Sequence, residues 1–159
     1  MSELAVNGIV PDFECAATDD GRFRLSDYRG RQVLLFFYPK ANTPGCTQEG
    51  KDFRDLHAEF DAANTAVFGI SRDGARAQQN FKDKYGFPFP LLADKDEAVC
   101  NRFGVLKEKT MYGRKVVGVE RSTFLIDAEG VLRHEWRGVK VKGHAEQAME
   151  TARRLHDGD

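Results

Sequence analysis

What this chain has little of narrows the reading first. Its 159 residues hold only three cysteines, Cys15, Cys46 and Cys100, an odd number at wide spacing. That is no secreted disulfide framework, and it points to a reducing, cytoplasmic setting. The C-x-x-C spacing of a disulfide exchanger is missing, since Cys46 is followed by Thr47, Gln48 and Glu49. A cysteine phosphatase needs an arginine six residues after its cysteine, and that position is Asp52. No cysteine–histidine group has zinc spacing, and neither a G-x-G-x-x-G turn nor a P-loop occurs, so no metal and no cofactor is expected. Net charge is only −1, with both signs spread along the chain and no basic stripe, which argues against nucleic acid as a partner. The longest apolar run, residues 33–38, is far too short to cross a membrane. The opening MSELAVNGIVPDF lacks the basic start and apolar stretch of a secretory signal.

What is present fits one soluble domain over residues 1–159, long enough for a real core, with 41% hydrophobic and 31% charged residues. Residues 13–17 and 22–25 flank Asp19-Asp20-Gly21 and read as an N-terminal β-hairpin. Residues 26–30 read as a single helical turn. The continuous apolar run 33–38 reads as a central strand covered on both faces, ended by Pro39. A helix is expected over 44–62, with Phe53, Leu56 and Phe60 on one face. Residues 65–71 give a second central strand. Residues 74–85 give a helix with Ala77, Phe81 and Tyr85 inward. A short strand over 91–93 precedes a helix capped by Asp94 or Asp96 and ending near Phe103. Hairpins are expected over 111–119 and over 121–137, and a last helix over 143–156. Alternating strands and helices with late antiparallel strands imply an α/β fold with a central mixed sheet flanked by helices.

The residues that carry chemistry stand where the first central strand gives way to a helix. Thr43 is placed to cap that helix and Pro44 suits its first position, which puts Cys46 in the first turn. There the free N–H groups and the positive end of the helix dipole favour a thiolate. Cys46, Gly50 and Phe53 share the inward face, and Gly50 leaves space beneath the sulfur. A nucleophilic cysteine at such a junction suggests a thioredoxin-like layout.

Pro39-x-x-x-Thr43-x-x-Cys46 matches the P-x-x-x-[TS]-x-x-C motif of peroxiredoxins. The wider string FFYPKANTPGCTQE resembles the peroxiredoxin Q, or bacterioferritin-comigratory-protein, subfamily. So do the opening PDF, LSDYRGRQVLLFFYP, FPFPLLAD and ERSTFLID. The resemblance implies a thioredoxin-like fold and a thiol-dependent peroxidase that reduces hydrogen peroxide or organic hydroperoxides through a Cys46 sulfenic acid. It implies that Thr43 hydrogen-bonds the thiolate and the peroxide. It implies that Arg121 holds the thiolate and stabilises charge on oxygen, that the N–H groups of Gly45 and Cys46 contact the peroxide, and that Pro39 shields the site. Ionisation alone would not make a fast enzyme. A thiol of pKa ~8.5 is roughly 3% ionised at pH 7, and a pKa of about 6 raises that ~30-fold. The lower nucleophilicity of the weaker base takes back ~10-fold, so aimed donors must supply the rest.

Many relatives carry a second, resolving cysteine five residues after the first, and here that residue is Lys51. Others carry it near residues 81–83, where none stands either. Cys15 and Cys100 both read as core packing, with Cys100 the remaining candidate for resolution. The expectation is a one-cysteine cycle in a monomer, completed by thioredoxin, glutaredoxin or glutathione. Glu49 could orient Arg121, though a solvated carboxylate is the plainer reading. The four histidines read as surface or packing residues. The rival reading is a thioredoxin-fold redox-sensing or binding module without turnover, in which Thr43 and Arg121 would have no joint task.

Overall fold

A computed structural model of the chain describes residues 4–158, so the outermost ends of the 1–159 unit lie outside the described residues. Among the described residues nine strands and five helices follow in order. They are β1 (Glu14–Ala17), β2 (Gly21–Arg24), β3 (Gln32–Phe37), α1 (Pro44–Asp55), α2 (His57–Ala62), β4 (Thr65–Ser71), α3 (Ala75–Tyr85), β5 (Leu91–Ala93), α4 (Ala98–Phe103), β6 (Leu106–Met111), β7 (Arg114–Val119), β8 (Ser122–Ile126), β9 (Leu132–Arg137) and α5 (His144–Asp157). A 3-10 turn, Leu25–Tyr28, joins β2 to β3. Seven strands form one mixed sheet in the order β2-β1-β5-β4-β3-β8-β9. β3 pairs in parallel with β4 and antiparallel with β8, which makes it central. Every residue of β3 and of β4 is buried, as expected of strands covered on both faces.

Alternation along β3 divides the core. Val33, Leu35 and Phe37 face one apolar cluster, together with Cys15, Val99, Cys100 and Phe103. Leu34, Phe36 and Tyr38 face the other, together with Cys46, Phe53, Phe60, Phe81, Phe87 and Phe89. Because strand side chains alternate faces, Cys46 lies on one side of the sheet while Cys15 and Cys100 lie on the other.

Four expectations are corrected. The helix expected over 44–62 breaks at Leu56, whose N–H bonds the Phe53 carbonyl at 3.2 Å and re-aims the chain into α2. The apolar positions 53, 56 and 60 pass through the break without interruption, so the pattern hides it. On α3 Phe81 is inward as expected, but the residue buried beside it is Gln78, and Ala77 is exposed. Gln78 earns the buried place by accepting the Tyr38 hydroxyl and donating to the Leu92 carbonyl at 2.7 Å. The hairpin expected over 111–119 begins earlier, at Leu106, and turns at Tyr112 and Gly113, both with positive φ. Its two strands form a separate ribbon that is almost wholly exposed, so β6 carries no alternating apolar signal. Finally, the space beneath Cys46 is filled. A Cβ at Gly50 would lie 2.4 Å from Phe87 Cζ, so the glycine admits the Phe87 ring against α1. Gly50→Ala is therefore expected to cost about 1–3 kcal/mol in urea denaturation, as overpacked cores do.

Candidate active site

The site begins where β3 runs out of partners. Tyr38 N–H still bonds the Ile70 carbonyl, and Pro39, which has no N–H, then releases the chain into a loop. The loop turns through Asn42 (φ 63°), and Thr43 enters α1 in extended conformation with Pro44 next. The first bond closing the helix runs from Thr47 N–H to the Thr43 carbonyl at 2.8 Å, which leaves the N–H groups of Gly45 and Cys46 ahead of the ladder. Cys46 is 1% exposed.

Arg121 arrives from the start of β8, 75 residues away in the chain. Its Nη2 lies 3.5 Å from Cys46 Sγ and its Nη1 donates to Glu49 Oε1 at 2.7 Å. The guanidinium side chain is only 17% exposed and the Glu49 side chain 1%. Gly45 makes this approach possible, since a Cβ there would lie 3.1 Å from Nη2. Burial pushes the Glu49 carboxyl up to about 7 against the opposing pull of Arg121, and Asp52 adds to the rise. Glu49 Oε2 is buried without a hydrogen-bond partner.

Of the expected residues, Cys46, Arg121 and Gly45 meet directly. Thr43 stands one turn before Cys46, but its hydroxyl neither caps the helix nor reaches the sulfur. It donates to the Lys40 carbonyl at 2.7 Å. Pro39 is exposed on the solvent side of the loop. Glu49 is not the solvated carboxylate of the plainer reading. On the helix it falls three residues after Cys46, and Arg121 draws it inward.

His144 is the neighbour that sequence reasoning left among packing residues. Its Nε2 is 2.7 Å from Thr123 Oγ1, two residues beyond Arg121, and its ring packs against Phe53 and Trp136. Burial, with the Arg121 charge added, pulls its pKa down to about 4, so it stays neutral beside the site. Cys15 and Cys100 belong to a different environment. Burial first, then the Asp94 carboxylate, pushes the Cys15 thiol up to about 12 and raises that of Cys100 as well, with a hydrogen bond to Asp94 contributing at Cys100. Among the described residues no group of three or more His, Cys, Asp or Glu could hold a metal ion. No helix among them is long and apolar enough to cross a membrane.

Comparison with known proteins agrees with this geometry. The profile of the AhpC/TSA family matches residues 6–135. The chain is 50% identical over 125 residues to peroxiredoxin Bcp of Xanthomonas campestris, covering 79% of this chain and 78% of that one. It is 43% identical over 148 residues to peroxiredoxin Bcp of Bacillus subtilis, covering 93% and 94%. Among solved structures it superposes on the Xanthomonas campestris bacterioferritin comigratory protein, studied for alkyl peroxide reduction, with a TM-score of 0.90 and 41% identity over 98% of this chain and 99% of that one. A mutant of Xylella fastidiosa PrxQ gives a TM-score of 0.92 at 38% identity, with the same coverage. A thioredoxin-like mixed sheet, a cysteine at the open end of α1 with an arginine on its sulfur, and these matches have one common conclusion: the chain belongs to the AhpC/TSA family of peroxiredoxins, on its Bcp or peroxiredoxin Q branch.

Proposed function

We propose that this thiol-dependent peroxidase reduces hydrogen peroxide and organic hydroperoxides with Cys46 as the attacking sulfur, and that it completes its cycle without a second cysteine of its own. The observation that carries the reading is the Arg121 guanidinium, 3.5 Å from Cys46 Sγ at the end of α1 where N–H groups are free. The thiolate attacks the terminal peroxide oxygen and the O–O bond breaks. The leaving oxygen takes a proton and departs as water or alcohol, and Cys46 keeps the other oxygen as a sulfenic acid. Arg121 and the N–H groups of Gly45 and Cys46 are donors aimed at the oxygens on which charge develops.

Donor counting assigns Thr43 a narrower task than holding the thiolate. A hydroxyl has one proton, and Thr43 gives it to Lys40. Its lone pairs are then free to accept the O–H of an incoming peroxide, which orients the substrate for attack. Pro39, with no N–H to bind water, covers the outer edge of the loop.

The one-cysteine cycle is supported by the two-sided core. Cys15 and Cys100 pack against the face of the sheet opposite Cys46, and burial disfavours their thiolates. An external thiol then resolves the sulfenic acid, with thioredoxin, glutaredoxin and glutathione as the candidate reductants. We place the enzyme in the cytoplasm, where all three cysteines stay free, and as a monomer, because every group of the site comes from one chain.

The test is peroxide in slight excess followed by dimedone trapping and peptide mapping without reductant. One rapidly lost thiol and a single label at Cys46 are expected, and a Cys15→Ser/Cys100→Ser double variant should turn over like the parent. Oxidation no faster than that of free cysteine would refute the peroxidase assignment. A Cys46–Cys100 or Cys46–Cys15 linked peptide would refute the one-cysteine cycle.

A further inference from the structure

The ribbon of β6 and β7 is fastened to the site and yet buries little of itself. Its second strand ends at Val119, two residues before Arg121, and Glu120 N–H closes the root on the Val105 carbonyl at 2.7 Å. Along its flank Arg72 Nη2 donates to the Val117 carbonyl at 3.0 Å. The next residue, Asp73, accepts the N–H of Ala41, in the loop that leads to Cys46, at 2.8 Å. Both attachments place the ribbon at the end of the sheet where Cys46 stands.

Register separates its two faces, because residues directly opposite one another point to the same side. Leu106–Val119, Glu108–Val117 and Thr110–Lys115 make one face, and Lys107–Gly118, Lys109–Val116 and Met111–Arg114 make the other. On the first, Leu106 and Val119 meet the core at the root, and Glu108 pairs with Lys115 at 3.7 Å. The second holds three cations, Met111 and Val116 and no carboxylate, and every residue of it except Gly118 is exposed. Tyr112, at the turn, is 98% exposed. Of the six large hydrophobic side chains exposed among the described residues, four lie in this ribbon. Residues 106–120 together hold four cations against Glu108 and Glu120, in a chain whose net charge is −1. Arg72 brings Glu97 as its ion-pair partner, so that flank adds no net charge. Apolar side chains grouped in this way mark a contact surface, and the unmatched cations among them select an acidic one.

The geometry points to this face, with Tyr112 at its tip, as the docking surface for an acidic dithiol protein that reduces the Cys46 sulfenic acid, an inference that rests on the oxidation of Cys46 proposed above. Two six-residue strands make a ribbon about 20 Å long, a span that a small thiol cannot use. Ribbon and site rim adjoin, so one partner can cover both, as a specific interface of about 800 Å² per partner requires. Cys46 is 1% exposed, so a free thiol seldom finds it within reach. A reductant held on the ribbon stays beside it at high effective concentration. Its thiolate attacks the sulfenic sulfur, the S–O bond breaks, and the oxygen takes protons and leaves as water. The reductant's second cysteine then attacks the reductant's own sulfur in the mixed disulfide. That frees the Cys46 thiolate, and the partner leaves as an internal disulfide.

The experiment separates the two steps. Cys46 is first oxidised with one equivalent of peroxide and its sulfenic acid verified by dimedone, which tests the peroxidase reading alone. The preformed sulfenic acid is then mixed with reduced thioredoxin, reduced glutaredoxin or glutathione at equal thiolate concentration. At least one of the two proteins is expected to react about tenfold faster than glutathione. A Met111→Gln/Tyr112→Asn/Val116→Thr variant alters no charge. Asn suits the φ of 53° at position 112, and Thr keeps the branched shape at 116, so the ribbon is spared. In this variant the protein reductant should slow about tenfold, while glutathione and the oxidation by peroxide keep their rates. In a Lys107→Gln/Lys109→Gln/Arg114→Gln variant the protein should also slow and lose most of its dependence on salt. Two proteins no faster than glutathione, variants reduced at the parent's rate, or glutathione slowed equally would each overturn the inference. A dimer in light scattering that the same substitutions break would give the face to a second copy. Binding to phosphatidylglycerol vesicles that they abolish would give it to a lipid surface, and either result also overturns the inference.

Discussion

Arg121→Ala is expected to slow the loss of the Cys46 thiol under peroxide by about 10²–10³-fold, the cost of removing a donor aimed at developing oxyanion charge. The variant deletes two contacts at once, Nη2 on Cys46 Sγ and Nη1 on Glu49 Oε1. Loss of fold could imitate loss of chemistry, because the deletion leaves a buried carboxylate without its cation. Glu49 has a way out. Its pKa already stands at about 7, and without Arg121 it rises further, so near pH 6 the group is neutral and the fold is spared. Rapid-mixing measurements at pH 6, with circular dichroism on the same samples, therefore isolate the chemical effect. Arg121→Lys should recover little, since one ammonium cannot reproduce a planar fork that touches a sulfur and a carboxylate together. A variant that oxidises as fast as the parent would remove Arg121 from the mechanism.

The contact between Arg121 and Cys46 also shows what a sequence can and cannot display. The strand–loop–helix around Cys46 is legible because its signals are local. An apolar run stopped by Pro39 and a Thr43-Pro44 helix start need no knowledge of the rest of the chain. The central strands 33–38 and 65–71 are legible for the same reason, as continuous apolar runs. Arg121 is recognisable only through a motif, since nothing in residues 120–127 says that β8 lies next to β3. That adjacency is a property of the sheet order.

The misread positions share a cause. Gln78 and Glu49 are polar residues whose burial depends on partners far away in sequence, Tyr38 with Leu92 and Arg121 respectively. Periodicity assigns polar residues outward, and only tertiary hydrogen bonding reverses that. His144, read as a surface or packing residue, does pack inward, and Thr123 fixes its ring there. The ribbon of β6 and β7 fails in the opposite sense. With Met111, Tyr112, Val116 and Val117 all exposed, only its base at Leu106 and Val119 meets the core, and a strand that buries no continuous face leaves no alternation to read.

Glu49 is where stability and reactivity are expected to part company. Its carboxyl has an ordinary value of 4.5 and a folded value of about 7. Between those values the folded protein keeps a proton that the unfolded chain has released. The stability from this group is therefore full below about pH 4.5 and is lost as pH rises through 7, by on the order of 3 kcal/mol in all. Ionisation has the opposite effect on the site, because a charged Glu49 grips Arg121 more firmly than a neutral one and fixes the guanidinium on Cys46. Glu49→Gln keeps the shape and one acceptor for Nη1 but cannot ionise. Its urea midpoint should decline less than the parent's between pH 5 and 8, so that it is the more stable protein at the alkaline end. Its rate of oxidation by peroxide should be about tenfold lower there, the difference between a charged and a neutral hydrogen bond to the guanidinium. Dividing the parent's rate by the variant's at each pH cancels the ionisation of Cys46 itself, and the quotient should rise through an inflection near 7. A flat quotient, or a variant whose stability follows the parent's across the same range, would show that Glu49 neither positions Arg121 nor carries the buried proton.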